Sequence, residues 1–324
     1  MPPLPTPEFW ARRGFVSSLL QPLAWAYAAA GAARWQWTRG VTAAVPVICV
    51  GNLVAGGAGK TPVVLSLARR LKAAGRTVHI VSRGYGGRLA GPIAVDPRSH
   101  RADDVGDEAL LLAEAAPTWV ARDRAAAAER AVGAGASVLL LDDGLQNPGL
   151  AKDLSLVVID GQFGIGNGRV LPAGPLREPF DTGVARADAV VLIGADDRRV
   201  EPLLAGTSVL RARLAAENAD RFCGHAVTAF AGIGRPAKFF ATLEAAGARV
   251  IARHPFADHH PYREDELRRL QDEAVAAGAM LVTTAKDWAR LSPEWRSRAE
   301  VLHVSIRWED ELALERTMAP VLRH

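Results

Sequence analysis

Hydrophobic residues in the first two thirds of the chain form short apolar runs, and segments with helical spacing lie between them. The first run, at residues 45–50, predicts a buried strand, and the apolar positions between Lys60 and Leu71 predict an amphipathic helix. Later runs predict strands at residues 77–81, 93–95, 118–120, 138–141, 154–159 and 189–193, and helices at residues 109–115 and 124–132. Fully apolar strands that alternate with helices are typical of a mostly parallel sheet with helices on both faces.

The pattern changes near residues 217–224, where polar residues separate this unit from a second, smaller α/β unit. Strands are predicted there at residues 226–230, 249–252 and 280–284, with one helix that ends near residue 243 and two more at residues 264–277 and 310–322. We therefore expect an α/β fold in three parts. These are an N-terminal helix in residues 1–40, a larger α/β domain in residues 41–218 and a C-terminal α/β domain in residues 219–324.

The N-terminal part contains an uncharged stretch, residues 14–33, with arginines on both sides. On a helical wheel one face, opposite Ser17, Ser18 and Gln21, carries the large apolar side chains Phe15, Val16, Leu19, Leu20, Leu23 and Tyr27. Tryptophans and arginines at the ends of such a helix are well accommodated among lipid headgroups. The pattern favours an amphipathic helix at a membrane interface over a helix packed on the protein core or a full membrane span.

A glycine-rich segment links the first predicted strand to the helix that begins at Lys60. Its glycines, which allow backbone N–H groups to approach phosphate oxygens, are Gly51, Gly56, Gly57 and Gly59. Lys60 can reach the β- and γ-phosphates of a nucleotide, and the Thr61 hydroxyl can ligate Mg²⁺. The strict phosphate-loop pattern is not met, because Val54 stands where its first glycine would be. The strand and helix on either side still favour a nucleoside triphosphate site in a P-loop NTPase-like domain over a plain glycine-rich turn.

Acidic residues follow the predicted strand at residues 138–141. A carboxylate at the carboxyl end of a buried strand is the expected partner of a phosphate loop, because Mg²⁺ takes oxygen ligands there. Asp142 and Asp143 occupy that position, although Asp-Asp-Gly is also a common turn. The spacing leaves open which of the two carboxylates meets the metal.

Two further residues are candidates for proton transfer. Asp107 could accept a proton from a hydroxyl nucleophile, or it could simply cap the helix that follows it. His259 lies in a loop with two other histidines, and it could equally be a structural loop or core residue. The histidine spacing matches no zinc pattern, and no cysteines accompany it.

Composition narrows the classes of function only slightly. With 324 residues, 49% of them hydrophobic and 23% charged, the chain is an ordinary globular protein long enough for two domains. A net charge of +4 fits an anionic partner, but the basic residues are dispersed and no nucleic-acid motif is present. Cys49 and Cys223 are predicted to be buried free thiols of a reducing compartment, and residues 1–7 show no secretory signal.

Seven motifs, in order, resemble those of the tetraacyldisaccharide 4′-kinase family, the lipid A 4′-kinases, and cover the chain to about residue 290. They are Gly51-Asn52-Leu53 with Gly56–Pro62, Ser82–Gly86, Val105–Glu108, Asp142–Gly144 with Gln146, Leu171–Pro179, Phe230–Gly234 with Pro236, and Phe256–His259. The resemblance implies Mg²⁺-dependent transfer of the ATP γ-phosphate to the 4′-hydroxyl of a tetraacylated glucosamine disaccharide 1-phosphate. It also implies a peripheral enzyme on the cytoplasmic face of the bacterial inner membrane.

The resemblance also implies a role for each matching residue. For nucleotide binding these are Gly51, Asn52, Gly56, Gly57, Ala58, Gly59, Lys60 and Thr61, and for the metal they are Thr61, Asp142, Asp143 and Gln146. Catalysis is assigned to Lys60 and to a carboxylate–imidazole pair of Asp107 and His259. Facing the substrate or the transferred phosphate are Arg83, Tyr85, Arg177 and Glu178.

The chain departs from the family pattern in two places. Leu145 and Asn147 stand where the family usually carries Phe and His, so an imidazole is absent from that point. The family tends to carry Glu before the Lys-Asp of Thr284–Asp287, and we assign that segment no role.

Two other functions compete with the lipid kinase. One is a P-loop GTPase or ATPase that acts as a switch or metallochaperone, although the base-selecting Asn-Lys-x-Asp segment is missing. The other is a soluble kinase of small molecules, in which Phe15–Tyr27 would only be core packing.

Overall fold

The computed structural model describes residues 7–204 and 206–322. The ends of the predicted first and third domains, residues 1–6 and 323–324, lie outside the described residues. Two short helices begin the fold, α1 (Phe15–Leu19) and α2 (Gln21–Trp37).

The larger unit follows the predicted alternation of strands and helices. Its elements are β1 (Val47–Gly51), α3 (Lys60–Ala73), β2 (Val78–Ser82), β3 (Ile93–Ala94), α4 (Ala102–Val105), α5 (Asp107–Ala115), β4 (Thr118–Val120), α6 (Arg124–Gly133), β5 (Val138–Asp142), β6 (Leu154–Asp160), α7 (Phe180–Val184), β7 (Ala189–Ile193) and β8 (Ser208–Ala216).

The second unit carries the remaining elements. They are β9 (Ala226–Ala231), α8 (Pro236–Ala245), β10 (Arg249–Pro255), α9 (Glu264–Ala276), β11 (Met280–Thr284), α10 (Ala285–Trp288), α11 (Pro293–Arg296), β12 (Glu300–Leu302), β13 (Val304–Trp308) and α12 (Glu311–Leu322).

The first sheet has nine strands in the order β13-β8-β7-β6-β1-β5-β2-β4-β3. Its pairings are parallel except at the two edges, where β13 pairs antiparallel with β8 and β3 with β4. One face packs against α3, α5 and α12, and the opposite face packs against α6 and α7. A mostly parallel sheet covered by helices on both faces is therefore confirmed.

The second sheet has four parallel strands in the order β10-β9-β11-β12. Apolar residues of α8, including Phe240 and Leu243, pack on one face, and those of α9, including Leu267 and Leu270, pack on the other. This confirms the smaller α/β unit predicted after residue 218.

The last elements do not belong to the second unit, contrary to the prediction that the final helix completes it. Strand β13 returns to the first sheet, and Leu314 and Met318 of α12 are buried in the core of the larger unit. Strand β13 pairs with the edge strand β8 of that sheet, and the apolar side chains of α12 pack on one of its faces. The boundary at residue 218 remains a proposal, which we amend so that residues 304–322 join the larger unit.

The N-terminal helices bury Ser17 and Ala24 and leave most of their other side chains exposed. Ser17 is fully buried, and its hydroxyl donates a hydrogen bond of 2.7 Å to the Ala173 carbonyl. The apolar residues of the predicted face point outward, so that Phe15 is 83% exposed and Leu19 is 67% exposed. Within the described residues no helix is both long and apolar enough to cross a membrane.

The two cysteines are both free, as predicted. Cys49 is buried in β1, but Cys223 is exposed in the link between the two units, so the prediction of two buried thiols is wrong for Cys223.

Candidate active site

The glycine-rich segment lies between the carboxyl end of β1 and the amino end of α3, as predicted. Gly59 precedes the helix with a φ of 88°, in the left-handed region that side chains disfavour. A Cβ added to Gly59 would lie 2.8 Å from the terminal methyl of Ile193, which could shift, so the backbone conformation is what favours glycine here. The segment therefore leads its backbone tightly into the N-terminus of α3, as phosphate binding requires.

Asn52 holds this segment in shape from within. It is fully buried, and its Nδ2 donates a 2.7 Å hydrogen bond to the Val54 carbonyl. Its Oδ1 accepts a hydrogen bond of 3.2 Å from Lys60 Nζ. The same asparagine explains how the loop works without a glycine at Val54, because a side-chain hydrogen bond constrains the turn there.

The acidic pair lies next to Lys60 at the carboxyl end of β5. Oδ1 of Asp143 is 3.6 Å from Lys60 Nζ, and the Arg177 guanidinium donates to both oxygens of Asp143, at 2.8 and 2.9 Å. Burial would raise the pKa of Asp143, but the charges of Lys60 and Arg177 outweigh it and lower that pKa to about 2. Asp143 is therefore an anion at neutral pH.

Asp142 differs from its neighbour in having an unpaired oxygen. Its Oδ2 accepts a 3.2 Å hydrogen bond from Ser82, while its buried Oδ1 has no hydrogen-bond partner within the described residues. Burial, together with the carboxylates of Glu108 and Asp143, raises the pKa of Asp142 to about 7. A buried, unpaired carboxylate oxygen beside a phosphate loop fits a divalent cation, which would supply the missing partner.

The other predicted metal residues stay predictions. No group of three or more His, Cys, Asp or Glu within the described ranges could hold a metal by itself, and Mg²⁺ in phosphate sites typically needs only one or two carboxylates. Gln146 uses its amide nitrogen otherwise, donating at 2.9 Å to the Asn52 carbonyl and at 2.9 Å to Glu178. Its observed contacts therefore brace the phosphate loop.

Asp107 and His259 meet across the two units. Nδ1 of His259 lies 2.9 Å from Oδ2 of Asp107, which is 3% exposed at the start of α5. The other oxygen of Asp107 accepts a hydrogen bond from the adjacent Glu108 backbone, but Gly106 is the N-cap of α5 and no side chain caps this helix, so the capping interpretation is wrong. His259 adopts a φ of 56°, which is uncommon for a residue other than glycine and turns its ring toward α5.

Two basic residues that the sequence reasoning missed surround this pair. Arg290 Nε donates to Asp107 at 2.7 Å, and Lys286 Nζ lies 3.3 Å from His259 Nε2. Burial would raise the pKa of Asp107, but the hydrogen bond from His259 and the charges of Lys286 and Arg290 hold it well below its usual value. Lys286 lies in the segment to which we assigned no role; its position directly after the apolar strand β11 is the signal that could have identified it.

Lys286 remains a cation despite its burial. Burial would lower its pKa, but the nearby carboxylates of Glu108, Asp107 and Asp258 raise it above its usual value. The closest carboxylate oxygen, on Glu108, is 3.1 Å from Nζ. Glu108 also raises the pKa of Asp142, so this one carboxylate acts on both Lys286 and the acidic pair.

The predicted substrate-facing residues fall into two groups. Arg83 and Tyr85 are exposed at the carboxyl end of β2, and the Tyr85 ring lies 5.4 Å from the His259 ring. Arg177 is bound to Asp143, as described above. Glu178 is buried and pairs with Gln146 and with Arg186, whose guanidinium stacks 4.4 Å from the Trp35 ring. Glu178 thus turns inward, and its predicted substrate contact has no support in its surroundings.

A loop of the second unit covers the phosphate loop. A Cβ added to Gly234 would lie only 2.8 Å from the Gly57 backbone nitrogen. Beside it, Arg235 and Lys238 lie 2.7 and 2.8 Å from Oδ2 of Asp160, a buried carboxylate at the end of β6. These contacts hold the second unit against the edge of the sheet where the phosphate loop, the acidic pair and Asp107 converge.

Comparison with known proteins accords with this geometry. The family model described as tetraacyldisaccharide-1-P 4'-kinase matches residues 16–323. The chain belongs to this family. A tetraacyldisaccharide 4'-kinase of Rhodospirillum centenum is 57% identical over 324 residues, which cover 98% of this chain and 96% of that protein. One of Rhodospirillum rubrum is 54% identical over 315 residues, with 95% of each chain covered.

A solved structure of the tetraacyldisaccharide 4'-kinase family has the same fold. It is the "apo" form of LpxK from Aquifex aeolicus in complex with ATP, with a TM-score of 0.77 and 26% identity over 95% of this chain and 99% of that one. The family and the kinase function predicted from the motifs are confirmed, and the nucleotide switch or metallochaperone is not favoured. Neither comparison tests the role of any single residue.

Proposed function

We propose that the chain transfers the γ-phosphate of ATP to the 4′-hydroxyl of a tetraacylated glucosamine disaccharide 1-phosphate with His259 as the proton acceptor. The observation that carries this proposal is the 2.9 Å contact between Asp107 and His259, beside the phosphate loop. A carboxylate that holds one ring nitrogen of a histidine leaves the other nitrogen free to take a proton from a hydroxyl. The identity of the substrate follows from the family, and the Asp107–His259 pair would activate its hydroxyl group.

The donor half of the site is the glycine-rich segment with Lys60. Backbone N–H groups before α3 would hold the phosphates of ATP, and Lys60 would neutralise charge on the transferred group. Asn52 fixes the position of Lys60, as its 3.2 Å hydrogen bond indicates. When ATP enters, Arg177 can move from Asp143 to the phosphate, since both are anions.

Thr61, Asp142 and Asp143 would hold the Mg²⁺ that accompanies ATP. The unpaired buried oxygen of Asp142 supports this assignment. The cation would neutralise charge on the phosphates during transfer. Thr61 offers a hydroxyl in the first turn of α3 next to Lys60, the arrangement that phosphate loops commonly use.

The acceptor half of the site is the Asp107–His259 pair. Because the pKa of Asp107 is held low, its carboxylate orients the ring and stabilises the imidazolium, and the ring itself takes the proton. Lys286 now donates to Nε2 at 3.3 Å and marks the position that the substrate hydroxyl would take over. Tyr85, exposed at 5.4 Å from the ring, is placed to contact the sugar.

The division of the site between two units would limit the hydrolysis of ATP by water. Asp107 and the phosphate loop belong to the larger unit, whereas His259 and Lys286 belong to the second. The two units together would enclose the reacting groups and restrict the access of water, which would otherwise compete with the sugar hydroxyl for the γ-phosphate.

The N-terminal helices support an enzyme that works at a membrane surface. Ser17 is buried whereas the large apolar side chains of Phe15, Leu19, Leu23 and Trp25 are exposed, which leaves them without packing partners in the described protein. An acylated substrate resides in a membrane, so these side chains would insert among lipids beside it. We therefore place the enzyme as a peripheral protein on the cytoplasmic face of the bacterial inner membrane.

One assay tests the proposed reaction directly. γ-Labelled ATP is supplied with the tetraacylated disaccharide 1-phosphate in detergent micelles, and the expected product is a labelled bisphosphate lipid. The matched control is the same lipid with its 4′-hydroxyl replaced by hydrogen, which should remain unlabelled. Label on the control lipid would contradict the proposal. So would a failure to form any labelled lipid while ATP is hydrolysed at a rate that neither lipid changes.

A further inference from the structure

A groove of about 560 Å³ lies between α2 and residues 168–181. Its walls combine polar and apolar side chains, and the apolar part has Ala24 and Ala28 of α2 on one side and Val170 and Phe180 on the other. The proposed phosphoryl transfer uses none of these residues. Nothing in the described chain fills the groove, although a wall of this composition suits a ligand with a hydrocarbon portion.

Two arginines line the groove, and both are held by neutral groups. Arg13 Nε donates to the Asn167 carbonyl at 3.0 Å, and Arg169 donates to the hydroxyls of Ser17 and Ser18 at 3.0 and 3.1 Å. Among residues 7–204 and 206–322, neither guanidinium forms an ion pair, even though Asp181 also lines the groove. Each guanidinium keeps further N–H donors for an anion, because it has five in all.

A second cavity offers a comparison. It has a volume of about 330 Å³ and is lined by three arginines, Arg69 and Arg70 of α3 and Arg307. Two of the three are paired with a carboxylate, Arg69 with Glu217 at 2.8 Å and Arg70 with Glu311 at 2.6 Å. The cations of the larger groove, by contrast, have no carboxylate partner in the described protein.

The position of the groove indicates what it would hold. Trp25 forms part of its wall and is 66% exposed, in line with the outward apolar side chains of α1 and α2. If these side chains enter a membrane, the groove opens at the depth of the headgroups, where tryptophan and arginine are both favoured. A ligand there would combine a phosphate with an adjoining glycerol and acyl portion.

We propose that this groove binds the phosphodiester headgroup of an anionic phospholipid, with Arg13 and Arg169 as its ligands. Charge complementarity selects the occupant, because two unpaired cations beside an apolar wall match a phosphodiester joined to acyl chains. None of the residues that line the groove takes part in the proposed phosphoryl transfer. It rests on the membrane association proposed above and adds a preference among lipids.

The test uses soluble short-chain lipids below their micelle concentration. Titration calorimetry should show saturable binding of dihexanoyl-phosphatidylglycerol to the full chain, with one lipid per protein, and much weaker binding of dihexanoyl-phosphatidylcholine. The variant R13Q/R169Q should lose affinity at least about tenfold per arginine, because charged hydrogen bonds are removed. R12Q is the matched control: Arg12 is adjacent and exposed but does not line the groove, so this variant should bind like the parent.

Circular dichroism and thermal unfolding of the variants establish that any loss of binding reflects the groove and not the fold. Equal binding by R13Q/R169Q and the parent, or an equal loss in R12Q, would overturn the inference.

Sedimentation with vesicles distinguishes the headgroup site from the broader proposal of membrane association. If the parent chain sediments with neither phosphatidylglycerol nor phosphatidylcholine vesicles, membrane association itself fails. If it sediments equally with both and the short-chain lipid does not saturate, only the headgroup site fails.

Discussion

His259 Nδ1 lies 2.9 Å from Asp107 Oδ2, although 152 residues separate the two positions along the chain. Neither unit can make this contact alone, because α5 belongs to the larger unit and the loop of His259 belongs to the second. The proposed proton acceptor is therefore assembled by the packing of one unit on the other. Any change that separates the units should affect the chemistry before it affects nucleotide binding.

Substitution of His259 should separate catalysis from nucleotide binding. We expect H259A to lower kcat by about 10²- to 10⁴-fold, the usual contribution of a general base, with little change in KM for ATP. Its neighbour provides the control: His260 pairs with Glu266 at 3.0 Å and does not contact Asp107, so H260A should retain most activity. Steady-state rates with labelled ATP measure both effects, and an equal fall in ATP affinity for H259A would indicate a structural role.

Asp107 should contribute to stability in a pH-dependent way. D107N removes one of the two carboxylates that pair with the buried Arg290, Asp287 at 3.2 Å being the other, so we expect a loss of about 2 kcal/mol in the free energy of unfolding at pH 7. The pKa of Asp107 is lowered in the folded state, so its contribution is complete above the ordinary carboxyl pKa of about 4. The contribution falls as the pH drops below that value toward the folded-state pKa.

Urea unfolding between pH 7 and pH 3 would measure this effect as the gap between parent and D107N, which should narrow only below about pH 4. D265N is the control, since Asp265 is an exposed surface carboxylate and should change stability by less than about 0.5 kcal/mol. A gap that stays constant down to pH 3 would contradict the prediction.

Asn52 should be needed for nucleotide affinity. N52A removes the amide that donates to the Val54 carbonyl and accepts from Lys60, leaving a buried carbonyl and a buried ammonium without that partner. We expect the dissociation constant for ATP to rise at least about tenfold, from the cost of unsatisfied buried groups. Equilibrium binding of ATP measures this, and an unchanged constant would show that the loop keeps its shape without the asparagine.

Asp160 should hold the second unit in place. D160N removes the anion shared by Arg235 and Lys238, and we expect a stability loss of about 3 kcal/mol. Amide hydrogen exchange should increase around residues 232–245, the loop and helix nearest the phosphate loop. The control is R253Q, which breaks the exposed pair of Arg253 and Glu244 and should cost at most about 1 kcal/mol. Unchanged exchange in D160N would mean that other contacts hold the units together.

The exposed apolar face of the N-terminal helices should govern membrane binding. L19E/L23E places two charges among the side chains that would enter lipid, so the variant should fail to sediment with vesicles. Its thermal unfolding should match the parent, because Leu19 and Leu23 are 67% and 59% exposed and support no core. V275E/L312E changes two equally exposed residues elsewhere and should still sediment. Equal sedimentation of both variants would contradict a role for this face.

Most strands of the first sheet could be predicted because both of their faces are buried. β1, β5, β6 and β7 consist of almost continuous apolar residues, and such runs are visible in a sequence without knowledge of their partners. β8 escaped prediction because Arg211 and Arg213 interrupt it. There the apolar residues alternate, since the strand lies near the edge of the sheet and has one exposed face.

The positions of candidate site residues could be predicted where they depend on neighbouring residues in the sequence. They could not be predicted where they depend on the packing of distant elements. Lys60 and Asp142 each adjoin an apolar run, and a phosphate loop and its acid need only that context. Arg290 contacts Asp107 across 183 residues, and no local pattern carries that information. Glu178, which the resemblance placed facing the substrate, is buried and pairs with Gln146 and Arg186, and no local pattern indicated those contacts.

The pairing of β13 with β8 also defines how the second unit is attached. Ala216, the last residue of β8, is the direct partner of Val304, the first residue of β13. The whole segment between them, residues 217–303, occupies a position where a short hairpin turn could have joined the two strands. The second unit therefore has the arrangement of a domain inserted between two adjacent strands, and it carries His259, the proposed proton acceptor, without interrupting the pairing of β8 with β13.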